Sequence, residues 1–279
     1  MDSLNRSREG PHCSLVKTFF AIALGMFLAI GAAADDWQKT LSPSAPGSFP
    51  LPRPSHGTYA FGWSALSAAE GTFDFSKPKA GLIKLDVVIK TTGTVRKLYR
   101  LDANHSAITR SKTLQPLSVR QVEVYKGETI RTKLDFDSLG VVRARESSIA
   151  SPGNGKAKRF KFSPMFDMHG LFLWLRSQRL QPGEIYRLVV YPSTDPFLAE
   201  MRVVAKENLK LANRTYPALK IELKLRRINK KLEIESYENL KSAAAWISND
   251  SERVFLKAEA EISIGKVWVE LEKIENPIP

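Results

Sequence analysis

Hydrophobic residues at every second position recur along this chain, and that period constrains what it can fold into. Ile83, Leu85, Val87 and Ile89 alternate with Lys84, Asp86, Val88 and Lys90; Leu219, Ile221, Leu223 and Leu225 alternate with Lys220, Glu222, Lys224 and Arg226. Successive side chains of a strand point to opposite faces, so each segment has one dry and one wetter face. That is the pattern of antiparallel sheet with one face packed. Tyr59, Phe61 and Trp63 repeat it, as does Gly71-Thr72-Phe73-Asp74-Phe75, and shorter candidates run from Leu117 to Tyr125, Thr129 to Phe136, Ile185 to Tyr191 and Leu198 to Ala205. The clearest pair comes last. Leu256, Ala258, Ala260 and Ile262 alternate with charged or polar residues, then Gly265-Lys266 turns the chain into Val267-Trp268-Val269-Glu270-Leu271, a hairpin whose register the dry face sets.

One segment breaks the period. Ser163-Pro164 supplies an N-cap and a first-turn proline, and Met168, Leu171, Phe172, Trp174 and Leu175 recur at helical spacing until Pro182-Gly183. Ahead of the strands, Pro43, Pro46, Pro50, Pro52 and Pro54 rule out a central strand and predict an extended or disordered lead-in. The expected fold is mainly β (α+β): a curved antiparallel sheet or open β-barrel wrapped on one central apolar helix. The organisation expected is a signal peptide over 1–34, the Pro-rich lead-in over 35–56, a single β-rich domain over 57–274 with roughly ten to twelve strands of typical length, and a tail over 275–279.

The N-terminus carries the signal for location. Arg6, Arg8 and Lys17 precede an apolar run from Phe19 to Ile30 followed by Ala32-Ala33-Ala34, which reads as a secretory signal cut after Ala34. The competing reading, a membrane anchor, has 16 apolar residues from Phe19 to Ala34. These give a helix of about 24 Å against a hydrocarbon core of about 30 Å. The expected location is thus the periplasm or cell envelope. Cleavage also removes the only cysteine, Cys13, and with it disulfides, thiol chemistry and thiolate metal sites.

The whole chain has a formal charge of +13; its first 34 residues hold three basic and two acidic residues, so the remainder keeps +12. Export argues against nucleic acid as partner and leaves anionic lipid, envelope glycan or an acidic protein. Two local clusters carry much of this charge: Lys156, Lys158, Arg159 and Lys161 after a Pro-Gly-Asn-Gly turn, and Arg226, Arg227, Lys230 and Lys231 at the end of an alternating segment. They are the candidate anionic-surface contacts, with a solvated surface as the plainer reading. No sequence feature assigns an oligomeric state.

Catalytic constellations are sparse. Of the histidines that follow Ala34, His56, His105 and His169, no two share the i, i+4 spacing of a helical zinc site. Asp167 and His169 open the helix, where an acid is a common N-terminal feature. Asp135 and Asp137 share a strand face but precede a Ser-Leu-Gly turn. Ser263 and Lys266 match a Ser-x-x-Lys pattern, on a hairpin turn rather than a helix. No metal, cofactor or catalytic residue is expected, and so no enzyme. What remains is apolar surface: Trp63, Phe73, Phe75, Phe172, Trp174 and Trp246, with Trp268, either line a ligand cavity between sheet and helix or fill a core.

The order of segments is itself informative. Tyr59-Ala-Phe-Gly-Trp63 with Ala68-Ala-Glu-Gly71, then Asp167 to Arg176 leading to Leu180-Gln-Pro-Gly183, then Trp246-Ile-Ser-Asn-Asp250 and the last hairpin, resembles the DUF3108 family of exported bacterial envelope proteins of unassigned function. The resemblance implies a curved sheet similar to the open barrels of periplasmic lipoprotein carriers. It lends no catalytic residues. Arg176, Gly183, Trp246 and Asp250 match its pattern as architectural positions; the Pro-rich lead-in and the strong positive charge depart from it. Two functions follow as expectations: a non-enzymatic envelope protein holding a hydrophobic or acyl ligand on its concave side, or an interaction module with a filled core that meets anionic envelope components. A hydrolase would need Asp135, Asp137 and His105 in one cleft.

Overall fold

The computed structural model describes residues 36–125, 127–149, 157–263 and 265–275. The N-terminal apolar run, the cleavage site near Ala34 and Lys156 lie outside the described residues. Among the described residues the alternating segments become fifteen strands: β1 (Ser55–Trp63), β2 (Leu66–Ser76), β3 (Leu82–Thr91), β4 (Leu101–Arg110), β5 (Pro116–Tyr125), β6 (Glu128–Asp137), β7 (Gly140–Ser147), β8 (Lys158–Phe160), β9 (Ile185–Val190), β10 (Phe197–Leu211), β11 (Arg214–Ile228), β12 (Ile234–Glu235), β13 (Leu240–Ser248), β14 (Phe255–Ile262) and β15 (Gly265–Glu275). Two helices accompany them, α1 (Gly93–Leu98) and α2 (Met168–Ser177).

All fifteen strands belong to one antiparallel sheet, in the order β8-β7-β6-β5-β4-β3-β2-β1-β15-β14-β13-β11-β10-β9, with β12 paired on β11. Two meanders are therefore joined where the first strand pairs with the last. At that join Gly62 opposes Trp268, and a Cβ on Gly62 would lie 2.0 Å from the indole, so only glycine lets the ring cross. The sheet curls strongly, helped by register shifts in β1, β4, β10 and β13 that add local twist. Leu134, Phe136 and Val141 of β6 and β7 consequently share a core cluster with Val189 of β9, Leu198 of β10 and Ile228 of β11. β8 and β9 remain unpaired with each other, so the curved sheet is not closed into a barrel.

The chain crosses from one sheet edge to the other through the segment leading into α2. Phe166 makes a parallel bridge with Val190: its N–H donates to Val189 O at 2.9 Å and its carbonyl accepts from Tyr191 N at 2.7 Å. This use of the backbone corrects the expected helix start, because residues committed to β9 cannot enter the first helical turn. Asp167, rather than Ser163, is the N-cap, its carboxylate accepting from Gly170 N at 2.8 Å and His169 N at 3.3 Å. From there α2 is buried almost all round, Leu171, Leu173, Trp174, Leu175, Arg176 and Ser177 included. The short α1 had no counterpart in the sequence reading; Arg96 ties it to β4 through Asp102 at 2.9 Å and 3.2 Å. None of the described helices is long and apolar enough to cross a membrane.

The Pro-rich lead-in, expected to be extended or disordered, packs on the domain. It opens with a single 3-10 turn over Trp37–Thr40, then runs extended, seated along β9 and α2. Trp37 is buried, stacks on Phe162 and donates to Leu232 O at 2.9 Å. Ser42 exchanges bonds with Arg187, Trp174 Nε1 donates to Ala45 O at 3.0 Å, and Gly47 N donates to Ser177 Oγ at 2.9 Å. Proline brings no N–H that needs a partner, so a Pro-rich strap can be held by side chains that reach its carbonyls.

Candidate functional site

The space between α2 and the inner face of the sheet contains a cavity of about 460 Å³. A row of directly opposed residues shows why it is open. Phe61, Val269, Ala258, Ala245 and Ile221 lie side by side across β1, β15, β14, β13 and β11. Residues directly opposed across neighbouring strands share a face, and here two adjacent ones are alanine. The next row repeats this with Val267, Ala260 and Ala243. The rest of the wall carries large apolar residues: Phe73 and Phe75 on β2, Leu171, Phe172 and Leu175 on α2, and Leu223 and Leu225 on β11. Small residues facing large ones leave room that the helix does not fill.

Polar groups of the wall include residues at both ends of α2. Burial, the larger influence, holds the His169 imidazole at the N-terminal end below its ordinary range; Asp167 pulls it up and His105 pushes it further down. At the C-terminal end lie Arg176 and Arg253. Arg176 donates to Pro50 O at 2.7 Å and Glu252 O at 2.8 Å, while Arg253 donates to the carbonyls of Arg176, Gln178 and Arg179. Phe49 of the lead-in lies 5.5 Å from the Arg176 guanidinium and 3.5 Å from that of Arg253. Burial first, then the charge of Arg253, pushes Arg176 down to about 10 against the opposing charges of Glu252 and Asp250, which still leaves it cationic at neutral pH. Burial lowers Arg253 as well. Tyr59, also on the cavity wall, donates to Phe255 O at 3.0 Å, and burial raises its phenol.

The aromatic candidates divide between this wall and other places in the fold. Phe73, Phe75 and Phe172 line the cavity, as does Trp268. Trp63, Trp174 and Trp246 do not. Trp63 sits at the end of β1 and is 37% exposed. Trp174 turns to the other side of α2, between Phe166 and Tyr186, where its N–H reaches the lead-in. Trp246 pairs in register with Lys220 and Lys257, on the face away from Ile221; both ammonium groups lie over its ring and its N–H donates to Glu207 at 2.6 Å. Aromaticity alone could not separate these positions, whereas strand parity separates Trp246 from Ala245. Sequence alone marks Arg176 only as an architectural position and does not mark Arg253 or the alanines of β13 as cavity residues; Ala258 and Ala260 on the dry face of the last hairpin are the available signal.

The basic positions divide in the same way. Arg159 is ion-paired with Asp137 at 2.9 Å, and Arg227 with Asp195 at 3.5 Å and Glu235 at 3.9 Å. Lys158, Lys161, Lys230 and Lys231 are exposed, and Arg226 is half-buried. Hydrolytic residues are not brought together. Asp135 pairs with Arg120 at 2.7 Å; the Arg159 guanidinium and then Leu139 N hold the Asp137 carboxyl below its usual range; and His105 is buried elsewhere, 3.2 Å from Glu123. Lys266 is ion-paired with Glu259 at 2.7 Å. Among the described residues no three His, Cys, Asp or Glu converge as a metal site.

Among solved structures the chain is similar to a beta-barrel-like protein of a domain of unknown function, DUF1849, from Brucella abortus. The identity is 7%, with 81% of this chain and 98% of that chain covered and a TM-score of 0.51. A protein with a YmcC-like fold from Bacteroides fragilis aligns at 9% identity over 83% of this chain and 100% of its own, with a TM-score of 0.33. The first likeness is one of fold. No curated protein matches. The family model described as a protein of unknown function, DUF3108, matches residues 58–272, from β1 through β15 with α2 between, and the chain belongs to that family.

Proposed function

We propose that this protein is a non-enzymatic carrier or sensor of a hydrophobic ligand, exported to the cell envelope, with the ligand held between α2 and the concave face of the sheet. The cavity of about 460 Å³ carries the reading. Its volume falls within the range of about 300–1,000 Å³ that accommodates one small molecule, and its wall is mostly apolar with a few placed polar groups. Export is supported by the apolar run from Phe19 to Ile30 and Ala32-Ala33-Ala34. The exposed Lys158, Lys161, Lys230 and Lys231 supply the surface that would meet anionic lipid or glycan.

Protein purified without detergent and analysed by native mass spectrometry is expected to carry a substoichiometric apolar molecule, and to bind an added acyl probe saturably. Ala245→Phe places an aromatic side chain in the middle of the alanine rows and should weaken probe binding by about tenfold or more, with the thermal transition preserved. Saturable binding of equal strength in wild type and Ala245→Phe would sink the site; absence of any bound or added apolar ligand would sink the function.

A further inference from the structure

Within the ligand-cavity reading, on which this inference rests, the chemistry of one end says more about what is bound. Arg176 is 1% exposed and Arg253 is 9% exposed, and both line the cavity beside the aromatic and aliphatic wall. Their bonds go to five main-chain carbonyls, those of Pro50, Glu252, Arg176, Gln178 and Arg179, which accept hydrogen bonds but carry no net charge. Arg176 Nε has no hydrogen-bond partner. The charges of Glu252, which also lines the cavity, and Asp250 favour the cationic form of Arg176 but are not hydrogen-bonded to either guanidinium: Glu252 pairs with Arg53 at 3.0 Å, and Asp250 accepts from Ser248 Oγ and the main-chain N–H groups of Glu252 and Arg253. Two guanidiniums withdrawn from water with no carboxylate bonded to either make this end of an apolar cavity electropositive. Buried charge is stable where an opposite charge can approach it.

We infer that the cavity takes a single-chain amphiphile with an anionic oxyacid head, a fatty carboxylate or an alkyl phosphate, its tail along the alanine rows and its head at the Arg176 and Arg253 end. A guanidinium suits such a head better than an ammonium would, since its planar fork matches two oxygens of a carboxylate or phosphate. The cavity volume, near the low end of the small-molecule range, favours one chain over two.

Calorimetric titration of the full protein with tetradecanoate, tetradecyl phosphate and methyl tetradecanoate, at low and high salt, tests this. At least one anion is expected to bind about tenfold more tightly than the ester, a margin that one charge-assisted hydrogen bond can supply. The tighter of the two anions identifies the head. Arg253→Gln should reduce the anion-to-ester ratio to about threefold or less. If that variant does not fold, the wild-type ratio decides alone. An ester that binds as tightly as both anions overturns the head assignment and leaves the apolar cavity standing. Failure of all three probes to bind removes both.

Discussion

Two rows of inward-facing residues, one on each half of the curved sheet, have reversed relations between polarity and burial. Across β4, β5, β6 and β7 the row is His105, Gln121, Thr132 and Arg145. Its first three members are 3%, 7% and 5% exposed, covered by the turn after β9, where Gln121 reaches Pro192 O at 3.4 Å. Across β1, β15, β14, β13 and β11 the row is Phe61, Val269, Ala258, Ala245 and Ile221, and its three central members are only half-buried. Polar groups are packed away and apolar ones face open space. Hydrophobic burial alone would arrange the halves the other way round. Half-burial of those alanines and valine leaves room on the apolar side that folding did not consume, which is what a ligand site requires.

The largest expected effect compares the two sides of α2. Trp174 is 1% exposed and packed on Phe166 and Tyr186, whereas Phe172 faces the cavity and meets Phe255 edge-on at 5.9 Å. Trp174→Ala should cost about 3–5 kcal/mol in chemical denaturation. Phe172→Ala should cost about 1–2 kcal/mol, because less packed surface is lost. Equal losses would mean the cavity side is packed as tightly as the other, and the contrast between the halves would fail.

A middle-sized effect belongs to the strap that closes the arginine end. At Gly47 an added Cβ would lie 2.2 Å from Ser177 O and 2.8 Å from its carbonyl carbon, both backbone atoms at the end of α2. Gly47→Ala should therefore lower stability by about 1–3 kcal/mol. Hydrogen exchange should show faster opening of residues 45–50 and of the end of α2, with β4 to β7 unaffected. Protection unchanged throughout would show that the strap does not brace the helix.

The sheet was legible because its information is local and repetitive. Parity along Ile83 to Ile89, Leu219 to Leu225 and Leu256 to Ile262 states which face is dry, and one dry face with one wetter face is enough to specify antiparallel sheet. α2 was legible for the same reason, from its change of period. The strap was not, since its bonds to Trp174, Ser177 and Arg176 join residues more than 120 positions apart and no local pattern encodes them. The cavity was half legible. Phe73, Phe75 and Phe172 gave the large side of the wall, but emptiness arises from alanines opposed across two strands, which becomes visible only once β13 is set beside β14. Strand β13 has the sequence Leu240-Lys-Ser-Ala-Ala-Ala-Trp-Ile-Ser248, whose alanine run conceals its parity.

The smallest effect sharpens the boundary between the halves, where α2 begins. His169 lines the cavity, while its neighbour in charge, His105, belongs to the polar row and is bonded to Glu123 at 3.2 Å. Burial holds His169 below its ordinary value of 6.5, Asp167 opposes this and His105 adds to it, so the folded protein favours the neutral ring. An unfolded chain takes up that proton near pH 6.5, before the folded one does. The stabilising contribution is therefore complete above that pH and is lost as pH falls toward the depressed folded value, by at most about 1.4 kcal/mol per pH unit. Denaturation midpoints between pH 7.5 and 5 should fall in wild type and fall less in His169→Gln. If the variant keeps the full slope, His169 is not the group that responds to protons, and the start of α2 does not couple the cavity wall to acid.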